Sequence, residues 1–186
     1  MSSAHDVSGW LWDVWLVYWL FAARHTKPAA TVEPRRHRLM HGLGMLVAFL
    51  LLYAPAMQRQ PRLFPATDAI DATGILLELA GMGFTVWARL QLGANWSGTV
   101  QLKHDHELIV DGPYRLTRHP IYSGLLLAFI GAWMTIATLP GLAGFVVLWA
   151  TVAWKSTHED ALMRHAFPDI YPAYAARVKR LVPGLF

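Results

Sequence analysis

The strongest constraint on this sequence is a stretch without formal charge that extends from Ile121 to Trp154. As one helix it would measure about 51 Å at about 1.5 Å per residue, far more than a hydrocarbon core of about 30 Å. The tripeptide Leu139-Pro140-Gly141 lies near its middle and supplies a turn. The stretch therefore predicts two short membrane spans joined in a tight hairpin.

Three further apolar segments precede this hairpin. The first contains Asp13, the third contains Glu78, and the second has no formal charge. They cover about Val7 to Ala23, Leu39 to Met57, and about Ala72 to Ala88. With the hairpin they predict an all-α integral membrane bundle of about five transmembrane helices. We treat residues 1–186 as a single domain, with three spans in 1–91 and the hairpin and an amphipathic tail in 92–186.

The composition agrees with a membrane location. Hydrophobic residues make up 55% of the chain and charged residues only 15%, against about 25% charged residues in an average soluble domain. The sequence also contains 9 tryptophans, and indole side chains are enriched at the boundary between lipid and water. A compact chain with short loops is typical of prokaryotes, so we expect a location in a prokaryotic inner membrane.

The Lys and Arg residues orient the predicted spans. Most of them fall in the first loop, in the connection from about Arg89 to Pro120, and in the tail after Trp154, whereas the opposite side has only Arg59 and Arg62. The positive-inside rule then places the N-terminus outside, and the long connection and the tail in the cytosol. The net charge of +4 is scattered between apolar segments, so we interpret it as a topology signal and expect no nucleic-acid partner.

The tail after the hairpin has apolar residues at helical spacing between His158 and about Val182, interrupted by Pro168 and Pro172. This pattern predicts two short amphipathic helices that lie against the membrane or the cytosolic connection.

Polar residues meet at the cytosolic end of the hairpin. The spans leave this face after Tyr122 and return to it at Lys155, so the two groups of polar side chains, one on each side of the hairpin, share one end. The groups are His106, Tyr114, His119 and Tyr122 on one side, and Lys155, Glu159 and Asp160 on the other. Because a tight hairpin fixes their separation, they are a candidate site. The alternative is a set of snorkelling and capping residues at the membrane boundary.

Several other site types are disfavoured. The chain has no cysteine, which excludes thiolate nucleophiles and thiolate metal sites. No histidine belongs to an HExxH motif, so we predict no metal site. Gly81-Met82-Gly83 lies inside the third span and follows no strand, which indicates close helix packing and not a dinucleotide fingerprint.

Four motifs in the C-terminal half resemble the isoprenylcysteine carboxyl methyltransferase family. They cover about Leu92 to Pro183 in the family's order and spacing. The motifs are Leu92-Gly93-Ala94-Asn95-Trp96-Ser97, His106 to Tyr114, Arg118-His119-Pro120-Ile121-Tyr122-Ser123-Gly124, and an ending with Glu159-Asp160-Ala161-Leu162, Phe167, Tyr171, Tyr174, Arg177-Val178 and Val182-Pro183.

The resemblance implies an integral membrane enzyme that transfers a methyl group from S-adenosylmethionine, which is held in a cytosolic pocket. Lys155 and Glu159 are then the expected catalytic residues, and Lys155 and Trp96 are expected to contact the substrate. Family members often have Arg where Lys155 stands and a second Glu where Asp160 stands. The expected cofactor contacts are Gln101, His106, Glu107, Leu108, Ile109, Tyr114, His119, Pro120, Ile121, Tyr122 and Glu159.

The expected acceptor is a carboxylate of a lipid-like or small amphiphilic molecule, which Lys155 would hold. Three alternatives stay open. One is a phospholipid or thiol methyltransferase, and another is a non-catalytic protein of the same fold. The third is an NADPH-dependent membrane reductase of the sterol reductase type, which shares a similar Arg-His-Pro-x-Tyr region but is typically larger than 186 residues.

Overall fold

A computed structural model describes residues 3–24, 34–96 and 107–185 of the chain. The predicted all-α class is confirmed, since within these ranges the only β-type pairing is one antiparallel bridge between Arg62 and Thr138. The helices are α1 (Ser3–Ala22), α2 (Arg35–Tyr53), α3 (Pro55–Gln58), α4 (Asp68–Leu92), α5 (Pro120–Ile136), α6 (Leu139–Ala166) and α7 (Tyr171–Arg177), with short 3₁₀ turns at Gly93–Asn95 and Gly112–Arg115.

Five of these helices lie at the positions of the predicted spans, and two of the five have the length and composition of a membrane span. Asp68–Asn95 and Leu139–Ala166 are long and apolar enough to cross a membrane by length and composition, and the apolar α5 is shorter. The second predicted span ends earlier than expected, at Tyr53, because Pro55 begins the separate short helix α3.

Helices α4 and α5 form the closest pair in the bundle, and glycines let their backbones approach. A Cβ atom on Gly131 would lie 2.4 Å from the backbone nitrogen of Glu78 and 2.4 Å from the carbonyl oxygen of Gly74. A Cβ atom on Gly81 would lie 2.4 Å from the backbone nitrogen of Ala128. The interpretation of Gly81 as a packing residue therefore agrees with the structure.

The hairpin between α5 and α6 turns two residues earlier than the sequence suggested. Ala137 adopts a left-handed conformation with φ of 55° and ends α5, and the Thr138 side chain accepts a hydrogen bond from the backbone of Gly141. Pro140 lies in the first turn of α6, where a missing N–H costs no helical hydrogen bond. The guanidinium of Arg62 donates a hydrogen bond to the carbonyl of Thr135 at 2.6 Å and so caps the C-terminal end of α5.

Helix α6 continues well past the predicted end of the fifth span. It has no Pro or Gly between Trp154 and Ala166, and the first helix breaker is Pro168. The prediction of two short amphipathic helices in the tail is therefore wrong for the first, which is the continuation of α6, while α7 occupies the place of the second. As a result one helix carries the residues from the hairpin into the candidate site.

Candidate active site

A cavity of about 280 Å³ lies where α1, α2, α6, the end of α4 and the segment before α5 meet. The expected catalytic, cofactor-binding and substrate-binding residues within the described ranges all line it, whereas Asp160 of the candidate group does not. Gln101 and His106 lie outside the described ranges. The predicted residues that line the cavity are Trp96, Glu107, Leu108, Ile109, Tyr114, His119, Pro120, Ile121, Tyr122, Lys155 and Glu159. The fold thus brings these residues together, and their individual roles stay predictions.

The segment that opens α5 places two of these side chains. His119 is the residue before the helix, and Pro120 occupies the first helical position, where its fixed φ suits the helix start. Tyr122 follows within the first turn, and its ring stacks on the His119 ring with centroids 5.7 Å apart. This short motif therefore points an imidazole and a phenol into the same cavity.

His119 is held between two carboxylates. Its Nδ1 lies 3.1 Å from an oxygen of Glu159, and its Nε2 lies 2.8 Å from an oxygen of Asp160. Ionised carboxylates only accept hydrogen bonds, so both ring nitrogens carry protons and the imidazole is cationic. Burial lowers the pKa of His119, but the hydrogen bonds to Asp160 and Glu159 outweigh it and raise the pKa above its usual value.

Glu159 and Lys155 lie one turn apart on α6. The hydroxyl of Tyr122 donates to Glu159 Oε1 at 2.6 Å, while the other oxygen of Glu159 faces His119. The Lys155 ammonium lies 5.6 Å from the centre of the Tyr122 ring, within the range of a cation–π contact. Lys155 is only 3% exposed, so its charge acts in a largely dehydrated site.

Asp160 does not line the cavity but lies behind His119. It accepts hydrogen bonds from Arg118 Nη2 at 2.8 Å, from Arg180 Nε at 3.1 Å and from the Tyr171 hydroxyl. Burial and the bond to Asp160 raise the pKa of Tyr171, so its hydroxyl keeps its proton and donates. Asp160 therefore links His119 to the tail and does not face the cavity.

The tail is fastened to the segment before α5 by main-chain pairing. The backbone nitrogens of Arg118 and His119 donate to the carbonyls of Lys179 at 2.8 Å and Arg180 at 3.1 Å. The Ser123 hydroxyl donates to the carbonyl of Leu181 at 2.6 Å. The tail is thus held against the segment that places His119 in the cavity wall.

Sequence reasoning missed the contribution of the N-terminal half. Trp15 and Trp19 of α1 and His41 and Met45 of α2 also line the cavity. Each pair is four residues apart and so shares one helix face. The spacing indicates that each pair lies on one face of its helix, but it does not predict which other helix that face contacts. The ring of Trp19 also contacts the ring of Trp96 at a tilted angle, with centroids 5.0 Å apart, and the Arg89 guanidinium lies 4.8 Å from the centre of the Trp96 ring.

Comparison with known proteins identifies the family. A profile described as phospholipid methyltransferase matches residues 70–170, more than half of the chain. The chain belongs to the phospholipid methyltransferase family. The matched region of this methyltransferase covers α4 from its third residue, and all of α5 and α6, and therefore most of the cavity described above.

The relatives narrow the type of methyltransferase. This family member is 27% identical over 192 residues to a probable protein-S-isoprenylcysteine O-methyltransferase of Oryza sativa subsp. indica, covering 97% of this chain and 98% of the relative. It is 32% identical over 99 residues to the protein-S-isoprenylcysteine O-methyltransferase of Schizosaccharomyces pombe, covering 52% of this chain and 42% of that one. These relatives show that the chain is similar to the isoprenylcysteine methyltransferases and that it is a membrane methyltransferase.

The fold of this methyltransferase is also known. The solved structure of the eukaryotic intramembrane Ras methyltransferase, isoprenylcysteine carboxyl methyltransferase, aligns with a TM-score of 0.60 at 21% identity. The alignment covers 84% of this chain and 55% of that one, so the chain has the shared helical fold in a shorter form.

Proposed function

We propose that this membrane methyltransferase transfers a methyl group from S-adenosylmethionine to a carboxylate of a lipid-like or small amphiphilic acceptor. The observation that carries the proposal is the pairing of buried Lys155 with Glu159 one turn away, in one cavity. Lys155 suits an anionic acceptor, and Glu159 suits a cationic donor. The isoprenylcysteine O-methyltransferase relatives support an acceptor with an apolar tail and a carboxylate.

The residues present fit the proposed cofactor. When bound, S-adenosylmethionine supplies a methyl group on a cationic sulfonium. Each oxygen of Glu159 already faces one protein partner, Tyr122 or His119, and a carboxylate oxygen has two lone pairs, so each has capacity for a further donor such as an ammonium group. The ring of Tyr122 offers an aromatic face to a cation. Glu107, Leu108 and Ile109 form a non-helical wall, which leaves main-chain groups for a base or ribose.

The contribution of the protein to the reaction is alignment and a dry site. Displacement at a methyl group needs no covalent nucleophile on the enzyme, in agreement with a chain that lacks cysteine. Holding two reactants in line contributes up to about 7–11 kcal/mol. Lys155 would orient the acceptor carboxylate, and Trp96 would contact its apolar part.

The same site disfavours an amine acceptor. Of the charged side chains that line the cavity, Lys155, His119 and Arg118 are cationic and Glu107 and Glu159 are anionic. A further amine would meet Lys155 with little solvent to screen the repulsion. For this reason we favour O-methylation over methylation of phospholipid amines, although the family profile is described by the latter.

We further propose that α1, α2, α4, α5 and α6 all cross a prokaryotic inner membrane, with the N-terminus outside and the cavity and tail in the cytosol. The proposal rests on the distribution of Lys and Arg, which places Arg59 and Arg62 on the opposite side from the tail. Residues 1–91 would then act as three supporting spans and residues 92–186 as the catalytic region of one domain. Cysteine labelling of Arg59→Cys and Arg177→Cys in intact cells, which this cysteine-free chain permits, tests the topology.

The function is tested with purified full-length protein in detergent. We expect S-adenosylhomocysteine to bind in calorimetry and NADPH not to bind, and the reverse pattern would favour a reductase. Glu159→Gln and His119→Ala should weaken that binding while the protein still unfolds cooperatively. Transfer of label from S-adenosylmethionine to S-farnesyl-N-acetylcysteine, and not to its primary amide, would support a carboxylate acceptor.

A further inference from the structure

His41 of α2 is a polar side chain in the cavity wall that the catalytic motifs do not include. Its Nδ1 atom is buried and has no hydrogen-bond partner within the described part of the chain. A buried polar atom without a partner costs about 1–3 kcal/mol and is rare in native proteins, so it calls for an explanation. Since this atom belongs to a residue that lines the cavity, a bound molecule is a natural source of the missing partner.

From the packing of α2 against α6 we infer that His41 lies opposite the turn of Lys155. The helices run antiparallel, because Gly44 meets Thr151 while Ala48, further along α2, meets Gly144, earlier on α6. At the other end of the contact the rings of His37 and His158 are 4.9 Å apart.

His41 lies between these two contacts on α2, one turn after His37. The part of α6 that packs opposite His41 therefore lies between Thr151 and His158. This part of α6 contains Lys155. His41, Lys155 and Glu159 all line the same cavity, which agrees with this register.

We propose that His41 is an acceptor-binding residue, which donates a hydrogen bond from Nδ1 to the anionic oxygen that Lys155 holds from α6. This inference rests on the proposed carboxylate acceptor. A second positive charge next to Lys155 is unfavourable in a dehydrated site, so His41 acts as a neutral donor. Two donors from two helices would fix both oxygens of a carboxylate, whereas a single ammonium acts as a point charge and fixes only one direction.

The assignment also gives the N-terminal half a direct part in specificity. His41 stands at the acceptor end of the cavity with Met45 one turn later on the same face, so a polar contact and an apolar contact are adjacent. An amphiphile with a carboxylate close to its apolar tail could place the carboxylate at His41 and the tail at Met45.

The test compares His41→Phe with His41→Asn, because the Asn side-chain nitrogen lies close to where Nδ1 of His stands. With S-farnesyl-N-acetylcysteine as acceptor, we expect His41→Phe to raise KM about tenfold or more, the loss typical of a hydrogen bond to a charged group. His41→Asn should recover most of that loss. Binding of S-adenosylhomocysteine in calorimetry should stay within about twofold in both variants.

His37→Phe is the matched control, since His37 lies one turn earlier on the same helix, packs on Trp154 and His158, and does not line the cavity. Its KM should equal that of the unsubstituted protein. The primary amide of the same acceptor, used as a competitive inhibitor, should lose less affinity than the acid in His41→Phe.

The two proposals fail in different ways. An unchanged KM in His41→Phe, or an equal loss of S-adenosylhomocysteine binding, would overturn the role of His41 and leave the methyl transfer intact. Absence of methyl transfer to the acid in the unsubstituted protein would overturn the proposed acceptor and the role of His41 together.

Discussion

His119 Nε2 lies 2.8 Å from a carboxylate oxygen of Asp160, and this contact joins the cavity to the tail of the protein. On one side His119 faces Glu159 and the cavity, and on the other Asp160 binds Arg118 and Arg180. The proposed cofactor-binding carboxylate and the tail are therefore connected through one imidazolium ring. A change in this ring or in Asp160 is expected to affect both.

Asp160→Asn should destabilise the protein more than any change on the cavity surface. The Asp160 side chain is 5% exposed and compensates the charges of Arg118 and His119. Removing one partner of a buried ionic cluster leaves the others uncompensated and costs about 3–5 kcal/mol. The midpoint of thermal unfolding in detergent measures the loss. Asp169→Asn, at an exposed position after α6, is the control, and equal midpoints for the two variants would contradict this role of Asp160.

The stability of the tail attachment should depend on pH through His119. Its pKa is raised in the folded protein, so its protonation contributes stability that is fully present below the ordinary pKa of about 6.5. That contribution is lost as the pH rises through the folded-state pKa. We expect the difference in unfolding midpoint between the unsubstituted protein and His119→Gln to shrink at high pH. A difference that grows with pH would show that the ring is not cationic.

Lys155→Met should impair the use of an anionic acceptor without loss of the cofactor. Lys155 is buried beside Tyr122, so its charge is little screened by solvent. A hydrogen bond to a charged group contributes about 1.5–3 kcal/mol, which predicts at least a tenfold fall in kcat/KM for a carboxylate acceptor. Lys155→Arg keeps the charge and should retain most of the activity.

The control for the Lys155 variants is Lys179→Met, because the Lys179 side chain is exposed on the tail. Binding of S-adenosylhomocysteine should be equal in all three variants. If Lys155→Met methylates the acid as well as the unsubstituted protein does, the acceptor group lies elsewhere in the cavity.

Gly131→Ala should separate α4 from α5. The added Cβ would lie 2.4 Å from the backbone of α4, where no side chain can move away, and overpacking of this kind costs about 1–3 kcal/mol. Gly83→Ala is the matched control on α4, because no atom lies within 4 Å of the added Cβ. It should leave the unfolding midpoint unchanged or raise it. Similar destabilisation by both variants would indicate a general effect of helix substitution.

The hairpin could be predicted from local information, whereas most residues of the cavity were predicted from the resemblance to the isoprenylcysteine carboxyl methyltransferase family. The length of the uncharged stretch requires two helices, and motif residues such as His119 and Tyr122 are neighbours in the chain. The position of Asp160 could not be predicted in this way. It follows Glu159 directly, but one residue rotates the side chain by about 100° around a helix, which turns it from the cavity to the tail.

The part played by α2 was also beyond the sequence. Hydropathy identifies Arg35–Tyr53 as an apolar helix but does not indicate which face meets α6. That face is set by long-range contacts such as Gly44 with Thr151. The inferred position of His41 opposite Lys155 depends on this register.

Helix α6 carries both Lys155 and Glu159 without a break. Membrane helices tilt as the thickness of the bilayer changes, and two groups on different helices would then slide past each other. Two groups on the same helix, four residues apart, keep a separation of about 6 Å along its axis at any tilt. In lipid mixtures of different thickness, the distance between Lys155 and Glu159, the proposed contacts of the acceptor and the donor, therefore stays constant.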